Sequence, residues 1–356
     1  MVAELVLART DRAPAPHELK SPVAMMLRLD TGLDSIIRCP VLQDDLSRFP
    51  ESNPAARLTA GESLRTLIRK PGLVVCPVIA GPLSARLAQE VGFPTALLGG
   101  LGVAAERFAL PDTGLITFSD MLDQLRNTCA AVPGFPVIAD GDTGYGNAMN
   151  VRRTIVEYAR AGAAGIVLED QVWPKRCGHY EGSRAVVSAD EARTKIRAAV
   201  EARREVGIDI VIVARTDARS AVSLDEAMRR AREFEEEGAD IVFIEALETR
   251  EELRAVAASF KTPTWANMMS KTPLVTRTEL ADMGFKVVTY NVLLATAVHA
   301  LREALTAIAE DDMTRLPPSA SLDDVAHVVG LPAFMATESR YALPQQASTP
   351  DAADEP

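Results

Sequence analysis

Eight short apolar runs between residues 73 and 290 constrain the fold of this chain more than any other feature. They are rich in β-branched residues and lie at Leu73–Ile79, Thr95–Leu98, Pro136–Ala139, Gly165–Leu168, Asp209–Ala214, Asp240–Ile244, Pro263–Ala266 and Lys286–Tyr290. Longer amphipathic segments separate them, so each run with its following segment predicts one strand and one helix. Strands that are apolar on both faces indicate a parallel sheet covered by helices. Eight such units predict an α/β fold, a closed (β/α)8 TIM barrel, and favour it over a doubly wound open sheet.

The segments outside the repeating pattern predict the remaining organisation of the chain. Residues 1–56 contain many prolines and show weak periodicity, so we expect an irregular N-terminal arm there. The barrel is expected over residues 57–310. Residues 311–343 would form a C-terminal helical extension, with one short helix beginning at Ser321. The composition of residues 344–356 is typical of a disordered tail.

Composition and charge disfavour several classes of function. The chain has 356 residues, of which 24% are charged and 47% hydrophobic, and this is ordinary for a globular protein. A formal net charge of −11 disfavours binding to nucleic acid phosphates. The four cysteines form no CxxC pair, which fits a reducing cytoplasm, and we find neither a signal peptide nor an apolar stretch of membrane-spanning length. We therefore expect a cytoplasmic protein with no nucleic acid or membrane partner.

Polar residues and glycines follow the predicted strands at the point where each strand ends. They are Gly99 and Gly100 after the second run, Asp140 and Asp142 after the third, Glu169 and Asp170 after the fourth, Arg215 and Asp217 after the fifth, Glu245 after the sixth, Asn267 after the seventh, and Tyr290 and Asn291 after the eighth. All these ends meet at one rim of a parallel barrel, where function is located. One such acid can equally be a turn or helix-capping residue. Several carboxylates at one mouth repel one another, however, so the pattern predicts a cation among them.

The predicted metal ligands are Asp140, Asp142 and Glu169. Carboxylate oxygens are hard ligands, and these strand ends carry no His or Cys that would favour zinc. The sequence therefore predicts Mg²⁺, with Mn²⁺ as an alternative. Coordination through water is usual for Mg²⁺, and a substrate would supply further oxygens.

A basic segment, PKRCGHYEG at residues 174–182, follows the fourth strand. It places Lys175, Arg176 and His179 around Cys177, and nearby positive charge lowers the pKa of a thiol towards neutrality. Such a thiol can exchange a proton or act as a nucleophile. The plainer interpretation is a basic surface loop with an incidental cysteine. Because the segment lies beside the predicted metal site, we favour the catalytic interpretation.

At these residues the sequence resembles the isocitrate lyase and phosphoenolpyruvate mutase superfamily, and most closely its methylisocitrate lyase-like branch. The resemblance rests on the segments LSARLAQEVGFP, LPD, ADGDTGYGN, GIVLEDQVWPKRCGH, KIRAAVEAR, VARTDA, GADIVFIEA and KTPL. The combination of KRCGH with DGDTGYGN is specific to it. The resemblance implies a Mg²⁺-dependent barrel that assembles as a homotetramer, with the last helices exchanged between neighbouring subunits.

The resemblance also implies a role for each candidate site residue. Asp140 and Asp142 would be metal-site carboxylates, and Glu169 would hold metal-bound water. Cys177 resembles the general acid of the lyases, and we place Lys175 and His179 with it in the catalytic group. The expected substrate-binding residues, including Asp112 as a support behind the site, are Gly99, Gly100, Asp112, Arg176, Gly178, Arg215, Glu245 and Asn267.

The sequence departs from the family pattern after the second strand, where Leu97, Leu98, Gly99 and Gly100 replace Tyr-x-Ser-Gly. A phenol and a hydroxyl that bind the 2-oxo acid portion are therefore missing, so that end of the pocket should be less polar and should favour an alkyl-substituted substrate. Further departures are Ala80-Gly81-Pro82 in the first loop and Asn291 after the eighth strand.

The expected activity follows from the Cys-Gly-His of the basic segment, which the mutase and phosphonopyruvate hydrolase branches generally lack. It favours a Mg²⁺-dependent carbon–carbon lyase acting on a small carboxylic acid. The expected reaction is retro-aldol cleavage of a 2-hydroxy di- or tricarboxylate, such as 2-methylisocitrate or an alkylmalate, to a 2-oxo acid and a carboxylate. One alternative is an oxaloacetate acetylhydrolase. The other is a barrel that has lost catalysis and serves as a binding protein.

Overall fold

The computed structural model of the chain describes residues 58–178, 180, 184–269 and 272–341. Its strands form one closed parallel barrel in chain order, with β8 paired to β1. They are β1 (Val74–Ile79), β2 (Ala96–Leu98), β3 (Val137–Asp140), β4 (Gly165–Glu169), β5 (Val211–Thr216), β6 (Ile241–Ile244), β7 (Thr264–Met268) and β8 (Val287–Tyr290). Each of the eight predicted runs overlaps one of these strands, and the (β/α)8 barrel is confirmed.

Helices connect the strands and continue after the last one. They are α1 (Ala60–Arg69), α2 (Pro82–Glu90), α3 (Gly100–Phe108), α4 (Phe118–Ala131), α5 (Ala148–Arg160), α6 (Ala189–Val206), α7 (Ala218–Ala221), α8 (Leu224–Glu236), α9 (Arg250–Ala258), α10 (Arg277–Met283), α11 (Leu293–Ala309), α12 (Leu322–Val328) and α13 (Leu331–Glu338). No helix in the described part of the chain is both long and apolar enough to cross a membrane. The predicted arm (1–56) and tail (344–356) lie outside the described residues.

The strands bury two separate cores because successive side chains of a strand point to opposite faces. The core inside the barrel includes Val74 of β1, Ile138 of β3, Phe243 of β6 and Trp265 of β7. A second, larger core lies between the strands and the surrounding helices. The inward positions one step beyond the inner core lie at the carboxyl ends of the strands, where they line the mouth of the barrel.

Helix α1 closes the opposite, amino end of the barrel, a role that the sequence analysis did not assign. Leu64 is 1% exposed and belongs to the inner core. Arg65 pairs with Asp209 at 2.7 Å and with Asp240 at 2.6 Å, two residues that lie just before β5 and β6. A side chain on Gly61 would lie 2.2 Å from the Asp209 carbonyl oxygen, so the helix can approach this closely only with glycine there.

The C-terminal extension contains two α-helices where one was predicted. The predicted start is confirmed, because the Ser321 side chain accepts a hydrogen bond from the Asp324 backbone and caps α12. The predicted single helix is wrong because Gly330, at φ +87°, follows α12 and separates it from α13, which begins at Leu331 and has Pro332 in its first turn. Large apolar side chains are exposed on α11 and in this extension, among them Leu301, Leu305, Ile308, Leu322, Phe334 and Met335.

We predict that Leu64→Ala lowers the free energy of unfolding by about 2 to 5 kcal/mol, because it leaves a cavity in the inner core. Leu58→Ala is the matched control, since Leu58 is 59% exposed and its truncation should change stability by less than about 0.5 kcal/mol. Urea unfolding measures both variants. Equal stability of the two would show that α1 is not part of the barrel core.

Candidate active site

A cavity of about 60 Å³ lies at the carboxyl ends of the strands. Of the predicted site residues, those that line it are Gly99, Gly100, Asp112, Asp140, Glu169, Lys175, Arg176, Cys177, Gly178, Arg215, Glu245 and Asn267. Asp142 lies beside them and contacts Lys175. His179 lies outside the described residues. The structure therefore brings together residues from six different strand ends.

A short turn after β3 positions two carboxylates of the predicted metal site. Asp140 ends β3, and its two side-chain oxygens accept hydrogen bonds from the backbone of Gly100 at 3.1 Å and of Asp142 at 3.2 Å. A side chain on Gly141 would lie 2.7 Å from Ile166, so only glycine permits this tight turn. The turn brings Asp142, which is 1% exposed, under the cavity.

Lys175 is the positive charge at the centre of these carboxylates. Its ammonium lies 2.5 Å from an Asp112 oxygen and 2.8 Å from an Asp142 oxygen, and the side chain is 4% exposed. Burial alone lowers the pKa of Lys175, but the surrounding carboxylates raise that pKa well above its usual value. Lys175 therefore stays protonated. The sequence analysis had placed Lys175 as a positive charge acting on Cys177. In the structure its ammonium contacts Asp112 and Asp142.

Two buried carboxylates in this group each have an oxygen without a hydrogen-bond donor among the described residues. These oxygens are Asp142 Oδ2 and Glu169 Oε1, while Asp142 Oδ1 lies 2.8 Å from the Lys175 ammonium in an ion pair. Burial raises the pKa of Asp142 to about 6 and raises that of Glu169 well above its usual value. Buried oxygens without donors are costly unless a cation or water satisfies them. This donor set fits a small hard cation.

The geometry fits a cation that keeps part of its hydration shell. Within the described ranges, no group of three or more His, Cys, Asp or Glu side chains is close enough to ligate a metal directly. Mg²⁺ dehydrates reluctantly and is usually held by one or two carboxylates, with water and substrate completing its shell. Asp140, Asp142 and Glu169 suit that mode of binding.

Two tyrosines, Tyr145 and Tyr158, support the loop of the predicted metal site, and the sequence analysis had assigned them no role. The Tyr158 hydroxyl donates to the Asp140 carbonyl oxygen at 3.3 Å, and the Tyr145 hydroxyl lies 3.0 Å from that of Tyr158. Burial raises the pKa of both phenols well above the usual value, so both keep their protons. Because the single proton of Tyr158 goes to Asp140, Tyr145 is the donor to Tyr158. Phe118 stacks on the Tyr158 ring.

Arg215 forms the cationic part of the opposite wall. Its guanidinium makes two hydrogen bonds to Asp217, at 2.9 and 3.0 Å, and its Nε lies 3.4 Å from Glu169. Its Nη1 lies 3.7 Å from Glu245, whose carboxylate accepts a hydrogen bond from Asn267 at 3.2 Å. The two hydrogen bonds to Asp217 fix the orientation of the Arg215 guanidinium, which is a group suited to binding a substrate carboxylate.

The segment that carries Cys177 is anchored at both sides of the cavity. The Cys177 backbone N–H donates to the Asp112 carbonyl at 3.1 Å, and the Arg176 N–H donates to Gln171 at 3.0 Å. Gln171 in turn donates to Asp217 at 3.2 Å, which connects this segment to the support of Arg215. The sequence analysis missed Gln171, although it directly follows the Glu169-Asp170 pair. Cys177 itself is buried and lines the cavity.

The chain is similar in sequence and in structure to several known proteins. The profile of the family described as phosphoenolpyruvate phosphomutase matches residues 64–309. The chain is 45% identical to a 2-methylisocitrate lyase of Aeropyrum pernix, covering 65% of this chain and 74% of that protein. It is 37% identical to a 2,3-dimethylmalate lyase of Eubacterium barkeri, covering 80% of this chain and 99% of that protein.

Two solved structures are also similar. One is an oxaloacetate acetylhydrolase in complex with the inhibitor 3,3-difluorooxalacetate, with a TM-score of 0.75, 35% identity, and coverage of 80% of this chain and 97% of that chain. The other is a phosphonopyruvate hydrolase in complex with oxalate and Mg²⁺, with a TM-score of 0.71, 31% identity, and coverage of 80% and 99%.

We predict that Tyr158→Phe weakens Mg²⁺ binding by about 10-fold, because groups that orient metal-site residues typically contribute 10- to 100-fold to metal affinity. Tyr145→Phe removes a similar hydroxyl but leaves the bond to Asp140 intact, so its effect should be smaller. Titration calorimetry gives the Mg²⁺ dissociation constants, and the melting temperatures control for loss of fold. Wild-type affinity in Tyr158→Phe would contradict the assigned role.

Proposed function

Because the chain belongs to the phosphoenolpyruvate phosphomutase family, we propose that it is a Mg²⁺-dependent lyase that cleaves a 2-hydroxy di- or tricarboxylate to a 2-oxo acid and a carboxylate. Its superfamily, that of isocitrate lyase and phosphoenolpyruvate mutase, and its lyase relatives make it a carbon–carbon lyase. Substrates of the 2-methylisocitrate or alkylmalate type are the ones we favour. The observation that carries the proposal is the pair of buried carboxylates, Asp142 and Glu169, each with an oxygen that has no donor in the described part of the chain, beside a cavity lined by Cys177 and Arg215.

The cation site supports this chemistry. Mg²⁺ bound through Asp140, Asp142 and Glu169 would withdraw electron density from the substrate hydroxyl and its neighbouring carboxylate. Lys175 balances part of the carboxylate charge from behind, because its ammonium contacts Asp112 and Asp142 on the inner side of the site. The Lys175 charge lowers the pKa of Asp142 and of Glu169 against the effect of their burial, which favours the ionised carboxylates that a cation needs.

The other residues act on the fragment that leaves. When the bond between the hydroxyl-bearing carbon and its neighbour breaks, the electron pair stays on the neighbouring carbon, which becomes the enolate of a carboxylate. Arg215, held by Asp217, is placed to bind that carboxylate and to stabilise its growing charge. Cys177 gives its thiol proton to the carbon, and the proton lost from the substrate hydroxyl restores the thiol. The reaction therefore needs no co-reactant.

Hydrolysis of oxaloacetate to oxalate and acetate is the second candidate. The similarity to a solved oxaloacetate acetylhydrolase over 80% of this chain favours it. In the lyase reaction the bond beside the hydroxyl-bearing carbon breaks without added water, whereas in the hydrolysis water adds to the 2-oxo carbon before the carbon–carbon bond breaks. The products of the two reactions are therefore different. Oxalate as the main product from the panel tested below would replace the lyase proposal with this one.

We further propose that the protein is a homo-oligomer, a tetramer by resemblance, in which helices of one copy cover a groove of another. An apolar groove of about 950 Å³ lies over the outer faces of β1 and β8, between α2 and α11, where Val75 and Pro77 of β1 line it. The exposed apolar side chains of α13 include Leu331, Phe334 and Met335. Exposed apolar surface of this extent marks an interaction site, and the α12–α13 helices of a second copy fit its chemistry.

We predict that Asp142→Ala and Cys177→Ser both abolish turnover but differ in binding. Asp142→Ala removes a cation ligand, so Mg²⁺ binding is lost. Cys177→Ser keeps Mg²⁺ and substrate binding but loses turnover by about 100-fold or more, because a hydroxyl is a far weaker acid than a thiol. Assays of 2-oxo acid release from alkylmalates, methylisocitrate and oxaloacetate, with and without chelator, measure this. Cys129→Ser is the control, and undiminished turnover in excess chelator would refute the metal assignment.

For the assembly, we predict that Phe334→Asp lowers the oligomer mass measured by light scattering at micromolar concentration, because a carboxylate cannot be buried in an apolar groove without cost. Val222→Asp is the matched control. Val222 directly follows α7, is 63% exposed and lies outside the groove. A wild-type protein that is monomeric under these conditions would contradict the proposed assembly.

A further inference from the structure

The inward positions at the mouth of the barrel carry polar side chains on β3 to β8 but not on β1 and β2. The inward positions of β3 to β7 at the mouth carry Asp140, Glu169, Arg215, Glu245 and Asn267, and Thr289 and Asn291 line the cavity from the β8 side. The corresponding positions of β1 and β2 are Val78 and Gly99, which also line the cavity. The two neighbouring strands therefore form one apolar sector.

Val78 occupies the space that a side chain at residue 99 would need. A Cβ added to Gly99 would lie 2.7 Å from the Val78 Cγ1, closer than real Cβ contacts. Val78 is 8% exposed, so its methyl groups are packed between the strand and the cavity. Leu97 and Leu101 line the same side. The sector is thus filled by Val78 and contains no hydroxyl or amide side chain of these strands.

This apolar sector lies directly beside the cation site. A Cβ on Gly100 would lie 3.2 Å from Asp140 Oδ2 and 3.5 Å from Asp142 Oδ1. The substrate carbon that carries the hydroxyl must lie close to these carboxylates if they hold the cation. That carbon carries several groups. The group that points towards β1 and β2 contacts Val78.

We propose that Val78 selects an alkyl substituent on the hydroxyl-bearing carbon and so determines which 2-oxo acid is released. The inference rests on the proposed lyase function, which it deepens. A hydrogen at that position would leave the Val78 methyl groups without contact, whereas a methyl group fills the space. The cavity is small, so the substituent has little room to move away. The expected product is a 2-oxo acid with an alkyl chain, so we expect the release of pyruvate in preference to glyoxylate.

The test compares malate, 2-methylmalate and 2-ethylmalate, which differ only in this substituent. We expect the wild type to prefer the methyl compound over malate by about 10-fold or more in kcat/KM, the usual discrimination for one methylene group. Val78→Ala should shift the ratio of ethyl to methyl compound by about 10-fold towards ethyl. Val242→Ala is the matched control, because Val242 is also buried, at 1% exposure, but packs in the outer core. An unchanged ratio in Val78→Ala overturns the proposal.

A double-variant experiment tests the packing itself. Gly99→Ser alone should lose substrate binding, because its side chain collides with Val78. Combined with Val78→Ala, it should regain at least about 10-fold of that loss, since the space is then free. Equal effects of Gly99→Ser in both backgrounds would show that Val78 does not fill this space.

A binding experiment separates failure of this inference from failure of the lyase function. Calorimetry with Mg²⁺ present measures the dissociation constants of glyoxylate, pyruvate and 2-oxobutyrate for the wild type and Val78→Ala. If none of the 2-hydroxy acids is cleaved but the preference still shifts towards 2-oxobutyrate in Val78→Ala, the role of Val78 holds and the lyase function fails. The same preference in both proteins overturns the role of Val78.

Discussion

The ion pairs of Lys175 with Asp112 and Asp142 are the interaction on which the rest of the site depends. All three residues are at most 5% exposed, so a buried ammonium holds together three loops that are distant in the chain. Removing one member of such a buried group leaves a charge without a partner and typically costs about 3 to 5 kcal/mol. The arrangement also leaves Asp142 and Glu169 with oxygens that lack donors in the described part of the chain. Those oxygens are the ones that the proposed cation would satisfy.

The supports around this group act on backbone as much as on side chains. The Tyr158 hydroxyl donates to the carbonyl of Asp140, and the backbone N–H groups of Gly100 and Asp142 donate to the Asp140 carboxylate. Gln171 connects the Cys177 segment to Asp217. Each of these bonds comes from a different element of the barrel. A site held from several rigid elements keeps its groups in position before a ligand arrives, which is what positioning and electrostatic stabilisation require.

The mouth divides into a polar part and an apolar sector, and this division links the chemistry with the choice of substrate. Charged groups from β3 to β6 suit a cation and carboxylates, whereas Val78 and Gly99 offer only methyl groups and backbone. The sequence analysis noticed that Leu97 and Gly99 lack the usual phenol and hydroxyl, but it did not identify Val78. Only the three-dimensional structure shows that the side chain on β1 fills the space left on β2.

The sequence by itself determined the barrel and its rim. Strand position follows from apolar runs of four to seven residues, and rim position follows from the strand ends, so Asp140, Glu169 and Arg215 could be named from local patterns. The tertiary structure alone decided which of these groups meet. Asp112 and Lys175 are 63 residues apart, Arg65 and Asp209 are 144 apart, and Tyr158 lies on the helix after the loop that it supports. Such contacts depend on how helices and loops pack over the closed sheet, and no local periodicity encodes that packing.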